Sequence, residues 1–370
     1  MKITYFIGST IGGGAEHVIC DLASYMSRQD GFKSEILTVT KTDNNYYLDS
    51  KVNVVSLEKG RKINCKIIRI LTKMFNLYRY IKLSNTDLYI VFLPETIKAI
   101  IFFKKIIKVP ILISERSNPA SYDNKEKKQM IKAFSKANAI VFQTESAKEF
   151  YSKRVSNLSQ NIIIPNAIAG QLPELYKGKK EKILVAAGRF KPEKNFEMLI
   201  RAFANISKQF KEYKLYLYGD GELKSNYINL SKELGIEEKI VFPGYVENLA
   251  EKIKKATAFV LSSDFEGMPN ALIEAMAMGV PCISTDCEGG GASFLIKHME
   301  NGILVKCKDL EALTEGIKTL LLDVDLQKRI SSNAVKIREV LSKEIVYDRW
   351  KMFILSIVNK DKIKLEYKGD

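Results

Sequence analysis

Short, almost uninterrupted apolar runs alternate with longer stretches of helical periodicity along most of the chain. In the first half the runs fall at residues 2–9, 34–40, 88–93, 110–115, 139–145 and 161–165. Most lack strict apolar–polar alternation, as strands covered on both faces do. Between them, residues 15–29 and 125–137 space their apolar positions along one face of a helix. The pattern predicts βα units around a parallel sheet. A polar stretch at 169–182 (AGQLPELYKGKKEK) interrupts the rhythm with Gly, Pro and a lysine cluster, and reads as a linker. The alternation resumes with runs at 183–187, 214–218, 239–242, 258–263 and 280–285. Residues 342–359 are amphipathic, carry the sole tryptophan, Trp350, and predict a closing helix. The expected fold is therefore α/β, with doubly wound parallel-sheet domains at 1–168 and 183–341 joined by the linker at 169–182. Residues 342–370 form a helix and tail expected to pack back on the N-terminal domain. Sheets of this kind bind ligands at the carboxyl ends of their strands, so the gap between the two domains is the expected ligand position.

Composition narrows the class. A chain of 370 residues, 46% apolar and 27% charged, is globular and long enough for two cores. The first apolar run begins at residue 2, which leaves no room for a signal peptide, and no stretch reaches the ~18 apolar residues that span a bilayer. Five cysteines without a CxxC pair predict reduced thiols and a cytoplasmic setting, and two histidines are too few for a histidine-based metal site. The formal charge of +15 is lopsided: residues 1–180 carry 29 basic and 15 acidic side chains, residues 181–370 carry 29 and 28. A basic excess confined to one half predicts that this half meets something anionic: a membrane, a lipid diphosphate or a nucleic acid.

Three segments carry candidate chemistry. In residues 262–285 (SSDFEGMPNALIEAMAMGVPCIST) a strand ends, a Gly-Pro turn follows and a helix starts near Asn270. Unpaired N–H groups at such a start seat a phosphate, and Glu266 in the turn with Glu274 inside the helix can hold hydroxyls on either side of it. The spacing of two glutamates alone is common and reads equally well as helix-end charge complement plus a solvated residue. The flanking GMP turn and the small-residue run AMAMG tip the balance. In residues 186–194 (AAGRFKPEK), Arg189 and Lys194 stand where a strand gives way to a helix at 195–203, placed to neutralise a diphosphate as it gains charge on leaving. In STIGGGAEHV, Gly12, Gly13 and Gly14 follow the first strand and admit a ligand close to the backbone, without the spacing of a dinucleotide fingerprint.

Together these segments resemble glycosyltransferase family 4, the retaining enzymes of GT-B fold. FQTES (142–146), IPNAI (164–168), YGDGEL (218–223), FPGYV (242–246) and NGILV (301–305) extend the resemblance over nearly the whole length. It is close to bacterial enzymes of surface-polysaccharide and lipid-linked oligosaccharide synthesis. The resemblance implies transfer of a hexose or N-acetylhexosamine from a nucleotide sugar, UDP-linked first of all, to a glycan or lipid-diphosphate-linked acceptor. Glu274 would hold the ribose and Glu266 the donor sugar. Backbone N–H groups of Gly267, Met268, Pro269, Asn270, Ala271 and Leu272 would bind sugar hydroxyls and the distal phosphate, and Arg189 and Lys194 the diphosphate. Backbone groups near Val246 would hold the base, with Gly13 and Gly14 closing over the phosphates. The leaving phosphate would help deprotonate the acceptor, and no cofactor or metal is implied, since Arg189 and Lys194 supply the positive charge.

One departure from the family stands out. In ISERSNP (113–119), Arg116 occupies the place where some relatives carry a histidine, so this chain either does without that histidine or uses Arg116 to hold an anion. Arg116 and the neighbouring Glu115 are the acceptor-side candidates. Residues 61–83 hold seven basic side chains, several aromatic ones and no acid, and residues 97–108 are similar. These read either as helices covering the sheet or as basic amphipathic helices that settle on an anionic membrane at the inner face of the cell. A sugar-nucleotide epimerase of similar two-domain fold would need more acid–base groups, and nucleic-acid binding would need a recognisable module that is not present.

Overall fold

The computed structural model describes residues 1–11, 13–41, 48–58, 65–116, 119, 122–156, 158–170 and 172–359. Gly12, residues 61–64 of the basic stretch, Ser117, Asn118 and Gln171 lie outside the described residues.

Among the described residues thirteen strands form two sheets in which every pairing is parallel. In the first are β1 (Lys2–Ile7), β2 (Lys33–Thr38), β3 (Asn53–Ser56), β4 (Leu88–Phe92), β5 (Ile111–Ser114), β6 (Ala139–Phe142) and β7 (Gln160–Ile163). In the second are β8 (Glu181–Ala187), β9 (Lys214–Tyr218), β10 (Ile240–Gly244), β11 (Ala256–Leu261), β12 (Cys282–Asp286) and β13 (Ile303–Lys306). The orders are β3-β2-β1-β4-β5-β6-β7 and β10-β9-β8-β11-β12-β13. Each order reverses once, between β1 and β4 in the first sheet and between β8 and β11 in the second. Such reversals leave a crevice at the strands' carboxyl ends. These are two Rossmann-like parallel sheets, as the apolar runs predict. The middle strands are buried along their whole length, which is why their sequences read as apolar strings rather than alternating ones.

The chain divides into two units, residues 1–167 with 343–370 and residues 168–342. The helix Lys343–Asn359 thus belongs with the first unit, where Trp350 is 0% exposed and faces Phe92 at 6.2 Å between ring centres. In the second unit the core lies between the sheet and the helices Phe196–Ser207 and Leu310–Leu322.

Several expectations need correction at element ends. β3 and β13 fall outside the predicted runs: each is a four-residue edge strand, and β13 has only three apolar residues before Lys306 ends it. The helix expected over 97–108 is Pro94–Phe102, and Lys104, Lys105 and Lys108 lie beyond it in turns and loop. The expected linker gives up Glu181 and Lys182 to β8. Among the described residues no helix is long and apolar enough to cross a membrane.

Candidate functional site

In the second unit two loops leave the carboxyl ends of β8 and β11, on either side of the point where strand order reverses. The β8 loop runs through Gly188, Arg189 and a 3-10 turn at Pro192–Lys194. It ends at Asn195, which takes a left-handed backbone (φ 45°) so that its side chain can cap Met198 N–H of the next helix. This cap is why the helix starts cleanly at Phe196. The neighbouring β9 loop is locked onto it: Gly188 and Phe190 N–H donate to the Tyr218 and Asp220 carbonyls at 3.0 and 2.9 Å. A Cβ at Gly219 would lie 1.9 Å from the Gly188 carbonyl oxygen, so only glycine lets the loops meet.

The β11 loop is tied to the β8 loop by three bonds. Asp264 N–H donates to Glu193 O at 2.9 Å, Ser262 Oγ to Lys194 O at 3.0 Å, and Asn195 Nδ2 to Asp264 Oδ1 at 2.9 Å. Thr285 Oγ1 donates to Ser263 O at 2.6 Å from β12 behind. Within this frame the side chains of Lys194 and Glu266 meet: Nζ pairs with Oε1, and Ser263 Oγ donates to the same oxygen at 2.9 Å. Their side chains are 22% and 11% exposed, so the pair is shielded from water yet reachable. Arg189 is exposed, and its guanidinium has no partner among the described residues.

The helix Asn270–Ala277 begins at Pro269 without a side-chain cap. Two members of the expected N–H row cannot donate to a ligand: Pro269 has no N–H, and that of Leu272 goes to Pro269 O at 3.1 Å. At the other end, Gly279 and Arg338 Nε finish the helix, the latter donating to Ala277 O at 2.5 Å. Glu274 sits one turn in, where burial pushes its carboxyl up to about 7. Its carboxylate has no hydrogen-bond or ionic partner among the described residues, an uncommon state for a group so desolvated. Val246 lies half-buried in the loop after β10, whose Gly244 carbonyl accepts Gly219 N–H at 2.8 Å.

One contributor went unread in the sequence. The run Glu288–Gly289–Gly290–Gly291 after β12 backs directly against the turn: Glu266 N–H donates to Glu288 O at 3.1 Å, and a Cβ at Gly291 would lie 1.8 Å from Gly267 O. Three consecutive glycines at a strand end were the available signal. Cys287 beside them is buried, its thiol pushed up to about 12 by desolvation and then by Glu266.

In the first unit, Gly13 starts the helix Gly14–Ser27 after β1, and its N–H is already given to Glu16 Oε2 at 3.0 Å. Glu115, expected on the acceptor side, is 2% exposed and accepts from Tyr151 OH at 2.7 Å, Tyr122 OH at 3.0 Å and Arg116 N–H at 3.0 Å. With three donors and no accessible edge it anchors the fold and cannot reach an acceptor. Arg116 follows β5 and packs over Phe92 (4.5 Å to the ring centre) and Trp350 (5.5 Å).

Comparison with known proteins adds to this geometry. Residues 170–337 match the family model described as "Glycosyl transferases group 1". The chain is 30% identical over 363 residues to a Campylobacter jejuni protein, covering 97% of this chain and 99% of that one. That relative is named GalNAc-alpha-(1->4)-GalNAc-alpha-(1->3)-diNAcBac-PP-undecaprenol alpha-1,4-N-acetyl-D-galactosaminyltransferase. Among solved structures, sucrose-phosphate synthase from Thermosynechococcus elongatus superposes with a TM-score of 0.83 at 18% identity, covering 97% of this chain and 99% of that one. The HepE protein of Anabaena, solved with UDP and glucose, gives 0.78 at 17% identity, covering 96% of this chain and 100% of that one.

Proposed function

Because the chain belongs to the group 1 glycosyl transferases, we propose that it moves a hexose or N-acetylhexosamine from a UDP-linked donor to a lipid-diphosphate-linked glycan. The observation that carries the donor half is the meeting of Lys194 and Glu266 where the strand order of the second sheet reverses. Apart from a ligand the two neutralise each other. A nucleotide sugar separates their tasks: Lys194, with Arg189, takes the diphosphate, and Glu266 accepts from sugar hydroxyls and faces the positive charge that grows at the anomeric carbon. Glu274 accepts from the ribose hydroxyls, which gives its half-buried carboxylate partners it lacks among the described residues. Gly267 and Ala271 supply backbone N–H groups, and the loop at Val246 frames the base.

In the step itself, the bond from anomeric carbon to the distal phosphate oxygen breaks while the acceptor oxygen attacks on the same face. The departing phosphate takes the acceptor's proton, and configuration is retained. Charge developing on that phosphate is met by Arg189 and Lys194, so a metal ion has no necessary part. The epimerase reading gives way, since the relative matched over its full length is by name a transferase.

A thermal-shift screen of nucleotide sugars, followed by mass spectrometry of products on lipid-linked acceptors, tests the reading. UDP sugars are expected to stabilise the protein, and Lys194→Ala to bind poorly and turn over at least about a hundredfold more slowly. Undiminished product from Lys194→Ala would sink the site assignment.

The acceptor half rests on the helix Lys66–Leu83 of the first unit. Its N-terminal turns stand clear of the core, with Ile67, Ile68, Ile70, Leu71 and Phe75 all exposed among Lys66, Arg69 and Lys73. Phe102 is exposed as well, and Tyr78 and Phe103 join the two groups at 6.2 Å. Apolar side chains ringed by cations suit an anionic leaflet, where a peripheral enzyme meets a lipid-borne acceptor. Vesicles containing phosphatidylglycerol should retain the wild-type protein and lose the triple variant Lys66→Glu, Arg69→Glu, Lys73→Glu; equal retention would refute the docking face. Lys73 already pairs with Glu58 at 3.5 Å, so the other two reversals carry most of the effect.

A further inference from the structure

Arg116 is a cation in the wrong surroundings for a purely structural role. Its Nη1 donates to Asn166 Oδ1 at 2.7 Å, an oxygen that also accepts from Gln143 Nε2 at 2.6 Å. Its other two nitrogens, Nε and Nη2, are closed off from solvent and have no hydrogen-bond partner among the described residues. The guanidinium carbon packs against the neighbouring rings of Phe92 and Trp350, 4.5 and 5.5 Å from their centres. The adjacent carboxylate of Glu115 accepts from the Tyr122 and Tyr151 hydroxyls and from the Arg116 backbone N–H, and its charge offsets only part of the desolvation of the guanidinium. Desolvation accordingly pulls the guanidinium down to about 9, a large displacement for a group that otherwise stays charged throughout the accessible pH range.

Which nitrogens are left over matters. Nε and Nη2 form the long edge of the fork, the edge that meets a carboxylate or phosphate through two parallel N–H···O bonds. Asn166 holds the far corner through Nη1 and two neighbouring aromatic rings pack against the group, which restricts the edge before anything binds. It lies beyond the carboxyl end of β5, one strand from where the order of the first sheet reverses. A neutral sugar hydroxyl cannot neutralise a buried guanidinium, whereas an oxyanion both neutralises it and fills the two donors.

We propose that Arg116 is an oxyanion-recognition site of the first unit, taking a carboxylate or a phosphate carried by the substrate on its Nε–Nη2 edge. The inference rests on the transferase reading only for the statement that a substrate carries the oxyanion. Two sources share this chemistry: the carboxylate of an acidic sugar and the phosphate of a diphosphate. Because the edge is closed to solvent as it stands, entry of either displaces part of its cover.

The full chain is titrated calorimetrically with D-glucuronate and, separately, with inorganic pyrophosphate, each in the presence of saturating UDP. Wild type, Arg116→Met and Asn166→Asp are compared. One probe is expected to bind wild type at least about tenfold more tightly than Arg116→Met, and which probe does so identifies the source. Asn166→Asp places a competing carboxylate on Nη1. It is expected to melt at a higher temperature than wild type and to lose the same binding. UDP affinity, which belongs to the second unit, is expected to be equal in all three. Failure of UDP to bind any form counts against the donor assignment alone, because the probe comparison is differential. If both probes treat wild type and Arg116→Met alike, or if Asn166→Asp melts higher yet binds its probe as wild type does, the oxyanion site is refuted.

Discussion

A single carboxyl group, that of Glu274, couples stability to donor binding. Its native pKa of about 7 lies above the ordinary carboxylate value of 4.5, so the folded state holds a proton that the unfolded chain has released. The associated stability is complete below about pH 4.5 and is lost as pH rises through 7, amounting to about 3 kcal/mol at most. Glu274→Gln should therefore melt higher than wild type at pH 8 and equal it at pH 4.5, while binding UDP at least about tenfold more weakly. Melting curves and titrations at both pH values check this. In wild type, donor affinity should fall as pH drops from 8 to 6, and the variant should show no such slope. At this scale the sequence was partly legible. Glu266 and Glu274 stand out because a Gly-Pro turn and a helix start lie between them. The Lys194–Glu266 pair was not legible, since its members are 72 residues apart and nothing local marks them as partners. Glu115 misled for the same reason: the tyrosines that occupy it, Tyr122 and Tyr151, come from later elements.

Elements were easier to foresee than their ends. The buried middle strands announce themselves as apolar strings, whereas β3 and β13, at the sheet edges, carry too few apolar residues to stand out. Register between loops was invisible, because it depends on which backbones touch. Gly291 makes the point: replacing it with alanine forces a Cβ into the Gly267 carbonyl, and the turn holding Glu266 must shift. Gly291→Ala is expected to lose about 1–3 kcal/mol of stability and to weaken UDP binding, measured by denaturant unfolding and titration. Preserved UDP affinity in a destabilised variant would show that the glycine run supports the fold and not the site. The helix Lys66–Leu83 shows the converse. Its C-terminal half is clamped by Tyr80, whose hydroxyl donates to the Glu35 carboxylate that also takes Lys2 Nζ and Asn53 Nδ2. The clamp leaves the exposed N-terminal turns projecting from a fixed base.

Across the whole chain, charge and connectivity divide the labour. The basic excess falls in the first half, so vesicle binding should weaken as salt rises from 0.05 to 0.5 M while UDP affinity in the second unit changes far less. Co-sedimentation and titration over that series would separate the two; parallel losses would argue against a division. Trp350→Ala, in the last helix, should cost about 3–5 kcal/mol and loosen the Phe92–Arg116 stack, observed as a lower melting temperature. The return of that helix to the first unit also has a consequence during synthesis. The second unit is continuous in sequence, residues 168–342, and all of its strands have left the ribosome before Trp350 is made. The first unit, whose strands are translated earlier, waits for residues 343–359 to receive its closing helix. The part translated later can thus mature earlier, and until residues 343–359 are made the nascent first unit lacks the Trp350 ring that packs against Phe92.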